Sequence, residues 1–369
     1  MFNFKRSYKK FNAEIQLEVI IKLISTATKK EESYFSDDSY KFLVDNKYLG
    51  TNICLLGLGG SYAYGTNNEN SDLDVRGIAI NPAEEILTGK DFEQVCNTAT
   101  DTTIYSMNKM IKLLSGCNPN VIEILGLKPE HYLMVDCFGE KLLKNKHLFL
   151  SKQAANTFGG YAYAQLRRLD NKAARDLEDK KHEEHILNSI KNASVNFKER
   201  YFPYTEDQIK LYVDKSDKED KDYEIFMDLN LKHYPLRDFN GLMSETRNVV
   251  KDYDTLGHRN KNAIARDKLS KHQMHLLRLF MMCIDILEKQ EIITYREEEH
   301  DLLMSIRNGD FLDSEQQPTK EFDKMVEQYQ TRMQKALETS KLPDKPDMNK
   351  IHNLQADINA QIVKEWVLL

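Results

Sequence analysis

Two acidic residues, Asp72 and Asp74, stand two positions apart, directly before an apolar segment with strand character, VRGIAI (75–80). Side chains two positions apart in an extended chain point to the same side, so these carboxylates are expected to project together. Neighbouring carboxylates repel each other unless a cation lies between them, and such oxygen ligands suit Mg²⁺ bound jointly with substrate phosphates. The pair therefore predicts a divalent-metal site, with Mg²⁺ or Mn²⁺ as the expected ion.

A glycine-rich turn precedes this pair. The chain has only 15 Gly, yet five fall within 16 residues, namely Gly50, Gly57, Gly59, Gly60 and Gly65. The turn Gly59-Gly60-Ser61 ends an apolar strand, NICLLGL (52–58), and opens a short predicted helix. Backbone N–H groups at such a turn form an anion site, and the absent side chains let phosphate oxygens come close. We therefore predict that Gly60 and Ser61 bind ligand phosphates.

The segments around these motifs predict the fold. Short β-rich segments are interrupted by turns, and amphipathic helical patterns follow them. Predicted strands cover residues 52–58, 75–80, 91–97 and 100–106, with shorter strand signals around 209–213 and 223–228. The predicted class is α+β, with a small mixed β-sheet domain flanked by helices in residues 1–150 and a mostly helical domain in residues 151–369.

Composition limits the kind of protein. The charge is 52 − 58 = −6, which disfavours coating of long nucleic acids, and no apolar run approaches the roughly 18 residues of a membrane span. The N-terminus lacks the apolar stretch of a signal peptide, and the five cysteines form no CxxC pair. We therefore expect a cytoplasmic protein with reduced core cysteines and no membrane partner.

Taken in order, the two motifs resemble the signature of the DNA polymerase β-like nucleotidyltransferase superfamily. The matching residues are Leu58, Gly60, Ser61, Asp72, Leu73, Asp74 and Val75. Further details are most similar to a group of bacterial and phage proteins known mainly as predicted nucleotidyltransferases: Tyr64-Gly65-Thr66, Ser71-Asp72 and Arg76-Gly77. Patches at 101–125, 158–169 and 271–282 extend the resemblance to about half of the chain.

The resemblance implies a nucleotide site and a metal site. The triphosphate would lie on Gly60 and Ser61, with Tyr64 and Thr66 also in the nucleotide site, and Mg²⁺ would bridge the phosphates to Asp72 and Asp74. Superfamily members have a third carboxylate on a later strand, which completes a two-metal site.

The candidate for this third carboxylate is Asp101, which would hold metal and stand near the attacking hydroxyl. Glu93 is the alternative candidate. Asp101 precedes a segment rich in Thr and Ser, so it also suits a purely structural turn.

A local group of cations lies later in the chain. Residues 251–280 contain seven Lys and Arg against three Asp, a local charge of +4. Helical domains of the superfamily often supply cations to the triphosphate, so Lys271, His275 and Arg278, at i, i+4 and i+7, are candidates for nucleotide binding. A solvated helix face remains an equal alternative.

These inferences predict a Mg²⁺-dependent nucleotidyltransferase that moves a nucleoside monophosphate from an NTP such as ATP to a hydroxyl and releases pyrophosphate. The acceptor stays open among a protein hydroxyl, an RNA 3′ end and a small molecule, and so does a homo-oligomer. The alternative functions are a catalytically silent nucleotide-binding regulatory module and, less favoured, a scaffold with coincidental motifs.

Overall fold

The computed structural model describes residues 13–31, 37–69, 71–162, 209–215, 223–237, 239–240, 243, 247, 266–314 and 317–368. Contacts divide the chain into two compact units. The first comprises Met1–Gln165, Gln273–Phe311 and Thr319–Leu369, and the second comprises Leu166–His272 and Leu312–Pro318. The first unit thus joins the sheet region with C-terminal helices, which the sequence assigns to a separate domain. The boundary at residue 150 stays a prediction.

The first unit contains a five-stranded mixed sheet in the order β3-β4-β2-β1-β5. Its strands are β1 (Ile53–Leu58), β2 (Val75–Ala79), β3 (Gln94–Asn97), β4 (Thr102–Ser106) and β5 (Tyr132–Val135). Strand β1 pairs antiparallel with both β2 and β5, β2 pairs parallel with β4, and β3 pairs antiparallel with β4. The predicted α+β class with a mixed sheet is confirmed, and β5 is the strand that the sequence analysis missed.

Helices surround the sheet and fill the C-terminal region. The α-helices of the described residues are α1 (Ala13–Thr28), α2 (Asp37–Tyr40), α3 (Phe42–Asp45), α4 (Gly60–Tyr64), α5 (Ala83–Thr88), α6 (Met107–Ser115), α7 (Pro119–Ile122), α8 (Cys137–Lys144), α9 (Arg266–Lys289), α10 (His300–Asn308), α11 (Lys320–Thr339) and α12 (Met348–Val367). Short 3₁₀ turns cover Gly50–Asn52, Glu123–Gly126, Pro129–His131 and Lys146–Phe149.

A buried apolar core lies between helix α1 and the sheet that positions the candidate site. Apolar side chains of α1 pack on one face of the sheet, where they meet buried residues of β1, β2 and β4: Leu17, Ile20, Ile21, Ile24, Leu56, Leu58, Val75 and Ile104. Strand β1 is buried along its whole length, as its apolar sequence predicts. The turn after β1 therefore begins from a fixed strand end.

Helix α9 contributes a second apolar layer to the first unit from Gln273 onward. Met274, Leu277, Met281 and Ile284 are all buried, which follows from their helical spacing. None of the described helices is long and apolar enough to cross a membrane. Three cysteines are buried, but Cys96 and Cys137 are exposed, so the expectation of uniformly buried cysteines is wrong for these two.

The second unit contains an antiparallel hairpin of β6 (Ile209–Lys215) and β7 (Tyr223–Leu229). Its register runs from Ile209 opposite Leu229 to Lys215 opposite Tyr223. These strands coincide with the two shorter strand signals of the sequence. Arg259 and Lys261 of the basic segment lie outside the described residues.

Candidate active site

The glycine turn and the acidic pair meet at neighbouring ends of β1 and β2. The N–H of Gly59 donates to the carbonyl of Asp74 at 2.8 Å. Gly60 has φ +52°, and a Cβ there would lie only 1.6 Å from Asp74 Oδ2. A Cβ at Gly59 would lie 2.9 Å from the Cγ of Arg76. The two glycines therefore make room for Asp74 and Arg76, in addition to the predicted role of admitting phosphate.

Asp74 and Asp101 are brought together by Arg76. Its Nη2 lies 3.2 Å from Asp74 Oδ1 and 3.3 Å from Asp101 Oδ1, while its Nη1 donates to the carbonyl of Asp101. Asp101 has φ +41°, in the left-handed region, and its carbonyl also accepts from the N–H of Val75 at 3.4 Å. The Asp101 turn is thus held against the start of β2, and its side chain lies beside Asp74.

The two carboxyl groups differ in their environment. Asp74 is 18% exposed and Asp101 is 60% exposed. Burial, and then the hydrogen bond with Asp101, raise the pKa of Asp74 to about 7, whereas the same hydrogen bond lowers the pKa of Asp101. The exposed Asp72 adds further negative charge near Asp74. A carboxyl whose pKa is raised by burial beside a second carboxyl is typical of functional sites.

The carboxylates fit a metal that is shared with a ligand. Among the described residues, no three His, Cys, Asp or Glu side chains are grouped closely enough to hold a metal ion by themselves. Mg²⁺, however, is commonly bound by one or two carboxylates together with substrate phosphates. Asp74 and Asp101 supply that donor set, and Asp72 lies close enough to add to its charge.

Glu93, the alternative third carboxylate, has a different partner. Its Oε2 lies 2.8 Å from the Nζ of Lys109, and its side chain is 72% exposed. The geometry therefore favours Asp101 over Glu93 as the residue that acts with Asp74.

A second cluster joins the end of α4 to α9 and to the turn after α7. The hydroxyl of Tyr64 donates to Glu123 Oε2, and the guanidinium carbon of Arg278 lies 3.3 Å from the centroid of the Tyr64 ring. Burial raises the pKa of Glu123 to about 7, against the opposing effect of Arg278. Burial also lowers the pKa of Arg278 to about 10, and both Glu123 and Asp74 oppose that shift. Arg278 therefore lies within electrostatic reach of the candidate catalytic carboxylate.

The predicted cations of α9 have different positions. Arg278 is 8% exposed, and its Nε is buried without a hydrogen-bond partner among the described residues. Its Nη2 lies 2.7 Å from His275 Nδ1. Because a guanidinium only donates, Nδ1 of His275 must accept. Lys271 is exposed and belongs to the second unit. A solvated helix face therefore describes Lys271 but not Arg278.

Tyr64 and Thr66, predicted to bind nucleotide, are 1% and 0% exposed. The buried guanidinium of Arg307 donates to the carbonyl of Thr66 and, at 3.0 Å, to Ser71 Oγ. Arg307 thereby holds both ends of the loop between the glycine turn and Asp72. Tyr64 and Thr66 are thus buried beside this loop, and their contact with nucleotide stays a prediction.

Three residues of these clusters were not predicted from the sequence: Arg76, Glu123 and Arg307. Arg76 follows Asp74 by two residues, and this closeness in sequence could have indicated that the two side chains interact. Glu123 is an acidic residue inside an apolar helical segment (VIEIL), a pattern that indicates a buried carboxyl with a specific partner. Arg307 has no comparable signal, since a single arginine on an amphipathic helix is ordinarily solvent-facing.

Comparison with known proteins supplies a family. A family model described as the RNA repair pathway DNA polymerase beta family, RlaP, matches residues 41–357. Neither the curated proteins nor the solved structures contain a significant match to this chain.

Proposed function

Because the chain belongs to the RNA repair pathway DNA polymerase beta family, we propose that it is a nucleotidyltransferase that moves a nucleoside monophosphate from an NTP to a hydroxyl group. The observation that carries this proposal is the contact of both Asp74 and Asp101 with Nη2 of Arg76. The two carboxyls held together by this contact are a donor set suited to Mg²⁺ bound jointly with substrate phosphates. The family description favours an RNA 3′ hydroxyl over a protein or small-molecule acceptor.

The residues have the following proposed roles. The backbone at Gly60 and Ser61 receives the triphosphate beside Asp74. Arg278 neutralises phosphate charge with its unpartnered Nε, and His275 and Tyr64 orient its guanidinium. Asp101, the more exposed carboxylate, accepts the proton of the attacking hydroxyl.

Asp72, Asp74 and Asp101 would hold Mg²⁺ or Mn²⁺, which when bound would neutralise charge on the triphosphate and on the departing pyrophosphate. Positioning and charge neutralisation account for most of the acceleration in phosphoryl-type transfer. This is consistent with a site that lacks a dedicated acid–base histidine among the described residues next to Asp74.

The test is label transfer. Purified protein is incubated with Mg²⁺, each α-labelled NTP in turn, and one of three acceptors: RNA with a free 3′ hydroxyl, total cellular protein, or a small-molecule extract. We expect label on the RNA, release of pyrophosphate, and loss of both in the Asp72→Ala, Asp74→Ala double variant. Label on the protein or the extract would support the nucleotidyltransferase activity and contradict RNA as the acceptor. No label and no pyrophosphate with any acceptor would contradict the proposal.

A regulatory nucleotide-binding module is the second candidate. It is favoured by one observation, that the described side chains include no three-residue metal cluster as they stand. Tight NTP binding without pyrophosphate release in the same assay would support it.

A further inference from the structure

The candidate metal ligands Asp74 and Asp101 already have a cationic partner, the guanidinium of Arg76. Nη2 of Arg76 lies between Asp74 Oδ1 and Asp101 Oδ1, at 3.2 and 3.3 Å. A guanidinium in this position neutralises two carboxylates that would otherwise repel each other. It also uses oxygen lone pairs that a divalent cation would need, because Mg²⁺ must approach carboxylate oxygens to 2.0–2.1 Å.

The stem of Arg76 is fixed independently of this contact. Arg76 lies in β2, opposite Gly57 of β1 and Thr103 of β4. A Cβ at Gly59 would lie 2.9 Å from the Cγ of Arg76, so the absence of a side chain at Gly59 leaves space for the aliphatic part of Arg76. Nη1 is held by two main-chain carbonyls, those of Val75 at 3.2 Å and of Asp101. Only Nη2 is bound to side-chain carboxylates, so that end can leave them while Nη1 stays anchored.

We propose that Arg76 is a built-in counter-ion that holds Asp74 and Asp101 together before metal binds and that gives up its carboxylate contacts when a divalent cation enters. Arg76 is then a positioning residue that sets the affinity of the site for metal. This inference rests on the proposed function, since it takes these carboxylates to be metal ligands.

The experiment measures Mn²⁺ binding to the full chain in the presence of a non-hydrolysable NTP, by electron paramagnetic resonance of free Mn²⁺ and against the same NTP without protein. Arg76→Met keeps the apolar stem and removes the charge. We expect this variant to bind Mn²⁺ about tenfold more tightly than the wild type. A tenfold change lies within the roughly 5–150-fold range that is typical when one interaction alters the affinity for another. Arg76→Lys, which keeps one charge without the fork, is expected to fall between them.

Lys109→Met is the matched control, because it removes a nearby cation that pairs with Glu93 and not with the candidate ligands. Its Mn²⁺ affinity should equal that of the wild type. Equal or weaker binding by Arg76→Met, or no Mn²⁺ binding by any of these proteins, would overturn the proposal.

A second measurement covers the case in which Arg76→Met does not fold. A crystal structure of the wild type grown with Mn²⁺ and a non-hydrolysable NTP should contain the metal at Asp74 and Asp101, with Nη2 of Arg76 withdrawn from both. Mn²⁺ elsewhere, with the two contacts intact, would contradict it. Label transfer by the wild type is a separate readout, so failure of the transferase proposal is distinguishable from failure of this one.

Discussion

The guanidinium of Arg278 lies over the aromatic face of Tyr64, with its central carbon 3.3 Å from the ring centroid. The contact joins helix α9 to the short helix α4 that follows the glycine turn. The Tyr64 hydroxyl is bound to Glu123, so the ring is fixed from its other end. A buried arginine nitrogen without a partner is costly, so an ordered water or a ligand phosphate is expected to complete the hydrogen bonds of Arg278 Nε.

Arg278→Met should therefore weaken nucleotide binding. We expect the dissociation constant of a non-hydrolysable NTP to rise by roughly ten- to a hundredfold, since charge-assisted hydrogen bonds contribute about 1.5–3 kcal/mol. Calorimetric titration measures this. Arg332→Met is the control, because Arg332 is an exposed arginine paired with Glu288 at 2.7 Å. An unchanged NTP affinity in Arg278→Met would mean that Arg278 does not bind the nucleotide.

Glu123 makes stability depend on pH. Its folded-state pKa, about 7, exceeds the ordinary value of 4.5, so between these values the folded chain binds more protons than the unfolded chain. Its contribution to stability is therefore full below about pH 4.5 and is lost as the pH rises through about 7. The loss is up to about 3 kcal/mol at 1.36 kcal/mol per pKa unit.

Glu123→Gln removes this titration and keeps an oxygen that accepts from Tyr64. Urea unfolding at pH 5 and at pH 7.5 should give a larger fall in stability for the wild type than for Glu123→Gln. Parallel pH dependence in the two proteins would mean that Glu123 titrates normally in the folded chain.

The third carboxylate can be identified by a pair of neutral substitutions. Asp101→Asn should lower transferase activity by about 10²–10³-fold, a loss typical when one charge-stabilising group of an active site is removed. Glu93→Gln should leave activity within about twofold, because Glu93 is exposed and pairs with Lys109. The initial rate of pyrophosphate release measures both, and the opposite ranking would transfer the role to Glu93.

Local signals predicted much of the fold. Strands β1, β2 and β4 are apolar or β-branched segments bounded by turns, and Met274, Leu277 and Met281 repeat at helical spacing. Strand β5 was missed because it obtains its hydrogen bonds from β1, which is distant in sequence.

The candidate site could be predicted only where its residues lie close together in sequence. Asp72 and Asp74 were found by spacing, and Asp101 only by analogy, because its contact with Asp74 depends on a left-handed turn that the sequence does not specify. The burial of Arg278 was not predictable, since cations on a helix are ordinarily solvated and this one is buried by Tyr64 and Glu123 from other elements.

Substitution of Gly60 tests whether the glycine turn must leave space for the Asp74 carboxylate. An alanine Cβ at this position would overlap Asp74 Oδ2 at 1.6 Å, and the residue would also have to keep φ +52°. Gly60→Ala must therefore displace the Asp74 carboxylate. We expect near-complete loss of transferase activity and a stability loss that exceeds the roughly 1–2 kcal/mol for a non-glycine residue in the left-handed region.

Gly89→Ala separates these two effects. Gly89 has a similar φ of +69° at the end of α5, but a Cβ there would meet no heavy atom within 4 Å. It should show only the backbone cost and full activity. The difference in unfolding free energy between the two variants, measured in urea, then reports the clash with Asp74. Equal losses of stability together with equal activity would mean that Asp74 does not need the space that Gly60 leaves.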